Sequence, residues 1–492
     1  MKGLFKVYIN KNDYALKLEG DVLEKKSNSV YLNYNCYAHE LVKLEDDKLI
    51  VKSTNQNKIP LFYHINDKEI IITNHLITDE SACQSINYKH LAAKIAGYKK
   101  IYGTIFNEQS VLLPSLIYIF DQNKDDFIFS EPTMKYSPTS SDGVFTLIES
   151  KFDEFCSVNK NIYLFMSAGF DSRLDLAFLL NAQKKHNNQI TLMYIKDDYE
   201  SARYVKKIAK RFNLECLFFE NDKLHNEFDF YKHAYYLSTD SKIAINRFLS
   251  LADFIRKSDP TAIFVGNGVG SLKGRYYLKT FDQIYKNKIP KINTLERVCS
   301  YFNFDNSEIE AIKNDFKNDF EWLKNHTGSN DETFIKDMMY TNSGDRMLPM
   351  IALYDSAYII NDDDVYQGFA SLPLEEKREV NFIMYCLNRL NPTLAEMPFV
   401  TGDMPEVDIT ASQKIERFIY NNIIAKMLNI SSYKKSYEKM IKNPEEISIK
   451  NERIKRAFQG ILESDINIKV KINLSQITDY IMFLNQVQGH DF

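Results

Sequence analysis

From its start to about residue 130 the chain alternates apolar and polar positions in short runs: LFKVYIN, SVYLNYN, KLIVKS, IPLFYHI, EIIITNH, SLIYIFD and DFIFSEP. Period-two alternation broken by Asn and Asp predicts antiparallel strands with one face on a core. One helical piece, HLAAKIAGY at 90–98, interrupts them. The stretch MKYSPTSSDGV at 134–144 gathers Pro, Ser, Asp and Gly without a period and reads as a linker. Beyond it the pattern changes. FTLIESKFDEFCS has helical spacing, IYLFM is an uninterrupted apolar strand, and RLDLAFLLNAQKK is again helical. ITLMYIK, ESARYVKKIAKRFN, CLFFE and TAIFVG continue as strand, helix, strand and strand. Such alternation with wholly apolar strands predicts a parallel sheet covered on both faces. From about residue 280 helical patterns dominate. The expected fold is therefore α/β. An antiparallel β-rich domain at 1–133 precedes a linker at 134–144 and a doubly wound parallel-sheet domain with a helical extension at 145–492.

Composition narrows the class. The chain has 492 residues, beyond the reach of one ordinary core, with 44% apolar and 26% charged residues, a globular balance. A net charge of −4 supplies no basic field for broad nucleic-acid binding. Six scattered cysteines form no CxxC pair or Cys/His cluster, which fits a reducing compartment and predicts a cytoplasmic location. No window reaches the ~20 apolar residues that span a bilayer, so no membrane partner is expected. The abundant Tyr and Phe look like coding bias and carry no function.

The chemistry concentrates where IYLFM ends in SAGFDSR. In a parallel sheet ligands bind at the carboxyl ends of the strands, and a helix start there offers unpaired N–H groups to an anion. Gly169 lets the backbone turn and approach a ligand closely, Ser167 and Ser172 offer hydroxyls, and Asp171 suits Mg²⁺ bridging phosphates better than a bare phosphate. The alternative is a serine-capped helix after a buried strand. Neither GxxxxGK[ST] nor GxGxxG occurs at this junction.

SAGFDSR resembles the SGGxDS signature of the PP-loop ATP pyrophosphatases, and Arg after the final Ser is similar to the asparagine-synthetase-like branch. Ala168 stands where that signature has a second glycine. Four further segments extend the resemblance over roughly 145–405. ITLMYIKDDYESARYVKKIAKRFNLE is similar to the next strand and helix. IFVGNGVGSLKGRYY falls where the family has an acidic, glycine-rich loop ending in Gly-Tyr. It keeps Gly266, Gly268, Gly274 and Tyr276 but has Asn267, Gly270 and Ser271 in place of the acids. IINDDDVYQGFASLP matches PFLDxxVxxxxxxLP at Asp362, Val365, Leu372 and Pro373, and YCLNRLNPTLAEMPFVTGDMP resembles the late segment of DSR-type members. YGTIFNEQSVLLPSLIYIFD at 102–121 looks like the end of the family's glutamine amidotransferase domain. That domain's nucleophile is a cysteine exposed on removal of Met1, whereas position 2 is Lys2 and the nearest cysteine is Cys36. The first domain thus reads as a degenerate amidotransferase, with Cys36 and Cys83 as packing residues.

The resemblance implies ATP and Mg²⁺ as cofactors. Ser167, Gly169, Asp171, Ser172 and Arg173 would hold the pyrophosphate, Asp171 the metal, the backbone at Met193 and Tyr194 the adenine, and Gly266, Asn267 and Gly268 the facing loop. Asp171, Lys273 and Arg275 are the catalytic candidates. The two cations either bind phosphate or carboxylate in place of a metal ion or sit on a solvated loop. Arg173 either contacts the pyrophosphate or pairs with Asp175 or another acid. The run Asp362, Asp363, Asp364 reads more readily as a helix-capping turn than as a Mg²⁺ site. Arg346 could face the cleft, the lysine that stabilises the family's transition state has no evident counterpart, and the Lys/Glu-rich 434–456 reads as a solvated face. The expected activity is an AMP-forming amide ligase that joins a small-molecule or peptide carboxylate to an amine without glutamine hydrolysis, in specialised-metabolite, peptide or surface-polysaccharide synthesis. A homodimer is left open. The alternative is a nucleotide-binding scaffold or regulator that has lost the chemistry. A tRNA-modifying PP-loop enzyme is disfavoured by the missing cysteine pair and basic field.

Overall fold

The computed structural model describes residues 4–34, 37–54, 59–75, 85–97, 104–113, 116–132, 137, 139–167, 169–196, 199–220, 244–266, 292–315, 348–377, 380–397, 449, 451–466, 470–471, 474 and 477–478. The first part is antiparallel and β-rich. It contains β1 (Lys6–Asn10), β2 (Leu16–Glu19), β3 (Leu23–Lys26), β4 (Ser29–Tyr34), β5 (Tyr37–Glu45), β6 (Lys48–Lys52), β7 (Leu61–Ile65) and β8 (Glu69–Thr73). After α1 (Tyr88–Ala96) come β9 (Ser110–Leu112), β10 (Leu116–Asp121) and β11 (Asp126–Pro132). One sheet has the order β2-β1-β8-β7-β9 and the other β11-β10-β6-β5-β4-β3. Inward residues of both, such as Val7, Ile70 and Phe62 on one and Val30, Val42 and Val51 on the other, join a single core. Each alternating run in the sequence is a strand. β2, β3 and β9 lie at sheet edges; β2 alternates only between half-buried and exposed residues, and three of the four residues of β3 are exposed.

Two boundaries differ from the sequence reading for local reasons. α1 starts at Tyr88 because the Asn87 side chain accepts from His90 N at 3.0 Å, and it stops at Gly97, whose φ of +92° is the left-handed conformation glycine tolerates. α2 (Ser141–Val158) begins inside the expected linker, capped by Ser140, which accepts from Gly143 N at 3.3 Å. The Ser-Asp-Gly composition that reads as linker is here a helix start.

The second part alternates β12 (Asn161–Phe165), α3 (Phe170–His186), β13 (Gln189–Lys196), α4 (Tyr199–Phe212), β14 (Glu215–Glu220), α5 (Ala244–Ser258) and β15 (Ile263–Val265). The helices α6 (Ile292–Tyr301), α7 (Leu348–Tyr354), α8 (Asp363–Ala370), α9 (Asn381–Leu390), α10 (Pro392–Glu396) and α11 (Glu452–Glu463) follow. All three strand pairings are parallel, in the order β14-β13-β12-β15. Alternate strand residues enter different cores. Ile162, Leu164, Leu192 and Val265 meet α2, α3, α4 and α9 on one face. Phe165, Met193, Ile195 and Phe264 meet α5, α6 and α7 on the other, in a core continuous with that of the antiparallel sheets. The sheet is thus covered on both faces. Among the described residues no helix is long and apolar enough to cross a membrane.

The two parts meet where α1 packs on α6 and α11. Arg453, the second residue of α11, lies 4.4 Å from the ring centre of Tyr88 and 5.1 Å from that of Phe304. Its Nε and Nη2 donate to Phe302 O at 3.1 and 2.9 Å, and Asn451 Nδ2 donates to Tyr88 OH at 3.0 Å. Arg453→Ala removes the stacking and two charge-assisted bonds, so a loss of about 1–2 kcal/mol in urea unfolding is expected. Arg453→Lys recovers only part of it, because an ammonium lacks the planar fork.

Candidate functional site

The strand order locates the candidate site. The chain steps from β12 through β13 to β14 in one direction, then places β15 on the opposite side of β12. The crevice at a strand sheet's carboxyl edge opens where the order reverses, here between β12 and β15. Leu164 is in register with Val265, so Ser167 and Gly266 follow the ends of adjacent strands. Met166 N donates to Met193 O at 2.8 Å, which brings the end of β13 to the same edge.

The loop after β12 is closed by its serines. Ser172 Oγ donates to Ser167 O at 3.0 Å and accepts from Ser167 N at 2.9 Å, and the two hydroxyls are 3.0 Å apart. Gly169 N donates to Ser167 Oγ at 3.2 Å. Gly169 is the N-cap of α3 and brings no capping side chain to the N–H groups of the first turn, which contains Asp171. Its φ of −79° and ψ of 177° suit any residue, so the expected need for glycine at a tight turn is not what the backbone displays. A Cβ there would lie 3.3 Å from Ser167 Oγ, so glycine keeps this spot open. At Gly266 the constraint is harder. A Cβ would lie 2.5 Å from Tyr358 Cε1, so the ring packs against the bare backbone at the end of β15.

Several expected site residues have other partners. Arg173 is wholly buried and donates from Nη1 to Leu394 O at 3.2 Å and Met397 O at 2.5 Å. These bonds tie the start of α3 to the end of α10, where Arg173 acts as a buried helix cap. Burial pulls its guanidinium down to about 9, still charged at neutral pH. Met193 and Tyr194 sit inside the β13 ladder with buried side chains, Tyr194 against Phe218 at 5.9 Å, and the Met193 carbonyl is already engaged. Asp362 accepts from Asp364 N at 2.9 Å at the start of α8 and pairs with Lys151 at 2.8 Å, the capping role that the acidic run favours. Lys377 is buried and donates to Ala370 O at 2.6 Å, the end of α8. Asn267, Gly268, Gly270, Ser271, Lys273, Gly274, Arg275, Tyr276, Arg346, Cys36, Cys83 and Ala168 lie outside the described residues. Among those described, no three His, Cys, Asp or Glu side chains gather into a metal-holding group.

Sequence reasoning passed over Asp175 except as a partner for Arg173. It is 1% exposed, and its Oδ2 has no hydrogen-bond partner among the described residues. Burial first, and the Asp171 charge second, hold its carboxyl well above the usual carboxylate range. The signal was present: an acid four residues after Asp171, within the otherwise apolar LDLAFLL, shares its helix face. No protein-family model matches the chain, and no curated protein matches it.

The folded protein keeps the Asp175 proton above pH 4, where the unfolded chain releases it, so this group lowers stability as pH rises from about 4 towards the folded pKa. The slope from one such group is about 1.4 kcal/mol per pH unit. Asp175→Asn removes it. Urea unfolding is expected to find the variant more stable than wild type at pH 7, with the gap closing towards pH 4.

Proposed function

We propose that the chain is an ATP-dependent, AMP-forming ligase of the asparagine-synthetase-like kind, which adenylates a carboxylate and joins it to an amine without hydrolysing glutamine. The observation that carries this reading is the place of SAGFDSR: its serines and the uncapped start of α3 stand at the carboxyl edge of β12, where the strand order reverses. In this reading the sheet and its helices form a doubly wound PP-loop domain. The antiparallel part is an amidotransferase-like domain without its nucleophile, and the protein works in the cytoplasm on small-molecule or peptide substrates.

The described residues fit a magnesium nucleotide. The first turn of α3 presents N–H groups to phosphate oxygens, Gly169 leaves room for their approach, and Asp171 in that turn is the metal ligand. ATP supplies a pyrophosphate leaving group, and Mg²⁺ neutralises charge that develops during its departure. Ser172, buried and bonded at both ends of its hydroxyl, fixes the loop: with its own hydrogen on Ser167 O, it accepts from the Ser167 hydroxyl. The ring of Tyr358 and the glycine it covers form the opposite wall, where the carboxylate substrate would enter.

A scaffold that binds nucleotide without ligase chemistry has one observation in its favour, the Asn267, Gly270 and Ser271 that stand where the family carries acids. Pyrophosphate release from ATP and Mg²⁺, measured over a panel of carboxylates and amines, separates the two. Wild type is expected to exceed Asp171→Ala at least tenfold with a competent pair, and free glutamine to yield no glutamate. ATP binding with no such release supports the scaffold, and the absence of both rejects the nucleotide site.

A further inference from the structure

Asp175 is a buried acid that the fold leaves unexplained. It lies one turn below Asp171 on α3, and residues four apart on a helix share a face. Helical side chains lean towards the N-terminus, so its carboxyl is directed back at Asp171 and the Ser167–Ser172 loop. Ninety-nine hundredths of its surface is buried, and Oδ2 meets no donor among the described residues. No ion pair of Asp175 occurs among them either. The nearest cation in sequence, Arg173, donates instead to the carbonyls of Leu394 and Met397. A buried carboxyl without a partner calls for an explanation, and an ion yet to arrive is one.

We propose that Asp175 is the second carboxyl of the magnesium site, taking with Asp171 the metal that accompanies a bound nucleotide and supplying from α3 an acid that the loop after β15 lacks. This rests on the nucleotide reading above. Magnesium is commonly held by one or two carboxylates, with phosphate oxygens and waters completing its six ligands. Two acids on one helix face therefore suffice once a nucleotide is present, and no third is needed from the described residues. Asp171 and Asp175 would hold the ion together, and its charge would relieve their mutual repulsion. A purely structural Asp175, buried as a relic of packing, makes the opposite prediction about metal dependence.

The test is ATP binding by isothermal titration, with Mg²⁺ and with EDTA, to the full chain and to Asp171→Asn, Asp175→Asn and Asp175→Leu. Wild type is expected to bind at least tenfold more tightly with Mg²⁺. Asp175→Asn, nearly isosteric, is expected to keep the metal-free affinity within about twofold and lose most of the magnesium gain, as Asp171→Asn does. Asp175→Leu suits the apolar surroundings and provides the same comparison should Asn disturb folding, which thermal unfolding of each variant reveals. An undiminished magnesium gain in the folded Asp175 variants overturns the inference and leaves the nucleotide site standing. So does a wild type that binds ATP without any magnesium gain. A wild type that binds no ATP overturns both.

Discussion

β12 has apolar neighbours on both faces and a parallel partner on each side, and the arrangement of polar chemistry in the second part follows from that confinement. The buried positions of this strand, Ile162, Leu164 and Phe165, admit no charge without a partner. Polar residues are pushed to its end, and there the chain passes at once from Met166 into Ser167. Most residues from Leu174 to Leu179 of α3 are apolar and buried, which makes Asp175 conspicuous among them.

The buried cations share one solution. Arg173 donates to carbonyls at the end of α10, and Lys377 to the last carbonyl of α8. Each places a positive charge against the negative end of a helix, which satisfies orphan carbonyls and the cation at once. α2 is held similarly but from its flank and its start. Lys151 reaches the capping Asp362, Ser141 Oγ donates to Glu376 at 2.6 Å, and Asp142 pairs with Arg389. The helical extension is therefore fastened to the sheet by charge on backbone as much as by core packing. Asp175 stands apart from this scheme, an acid placed below a helix start whose Oδ2 has no partner among the described residues.

Much of the architecture was legible because burial on one or both faces prints itself as period two or as unbroken apolar runs. Where burial is slight the print vanishes, as in LEKK of β3, three of whose four residues are exposed. The junction at SAGFDSR was legible as a place, since an apolar strand cannot continue into Ser-Ala-Gly-Phe-Asp-Ser. The duties of its residues were less so. The fate of Arg173 depends on carbonyls more than two hundred positions later, and no local pattern announces them. Of the two reasons expected for glycine at 169, a tight turn and close approach, the extended backbone there leaves the second. At Gly266 the demand comes from Tyr358, an aromatic ring ninety-two positions away that periodicity does not place.

That ring has a mechanical meaning. Tyr358 fills the volume a side chain at Gly266 would occupy, and Ala357 beside it accepts from Gly266 N at 3.2 Å while its own N donates to Phe264 O at 2.8 Å. The end of β15 and the segment leading to α8 are consequently one solid piece. Asp362, at the start of α8, pairs in turn with Lys151 of α2, so one short segment joins the end of the sheet's last strand to the helix that opens the second part of the chain.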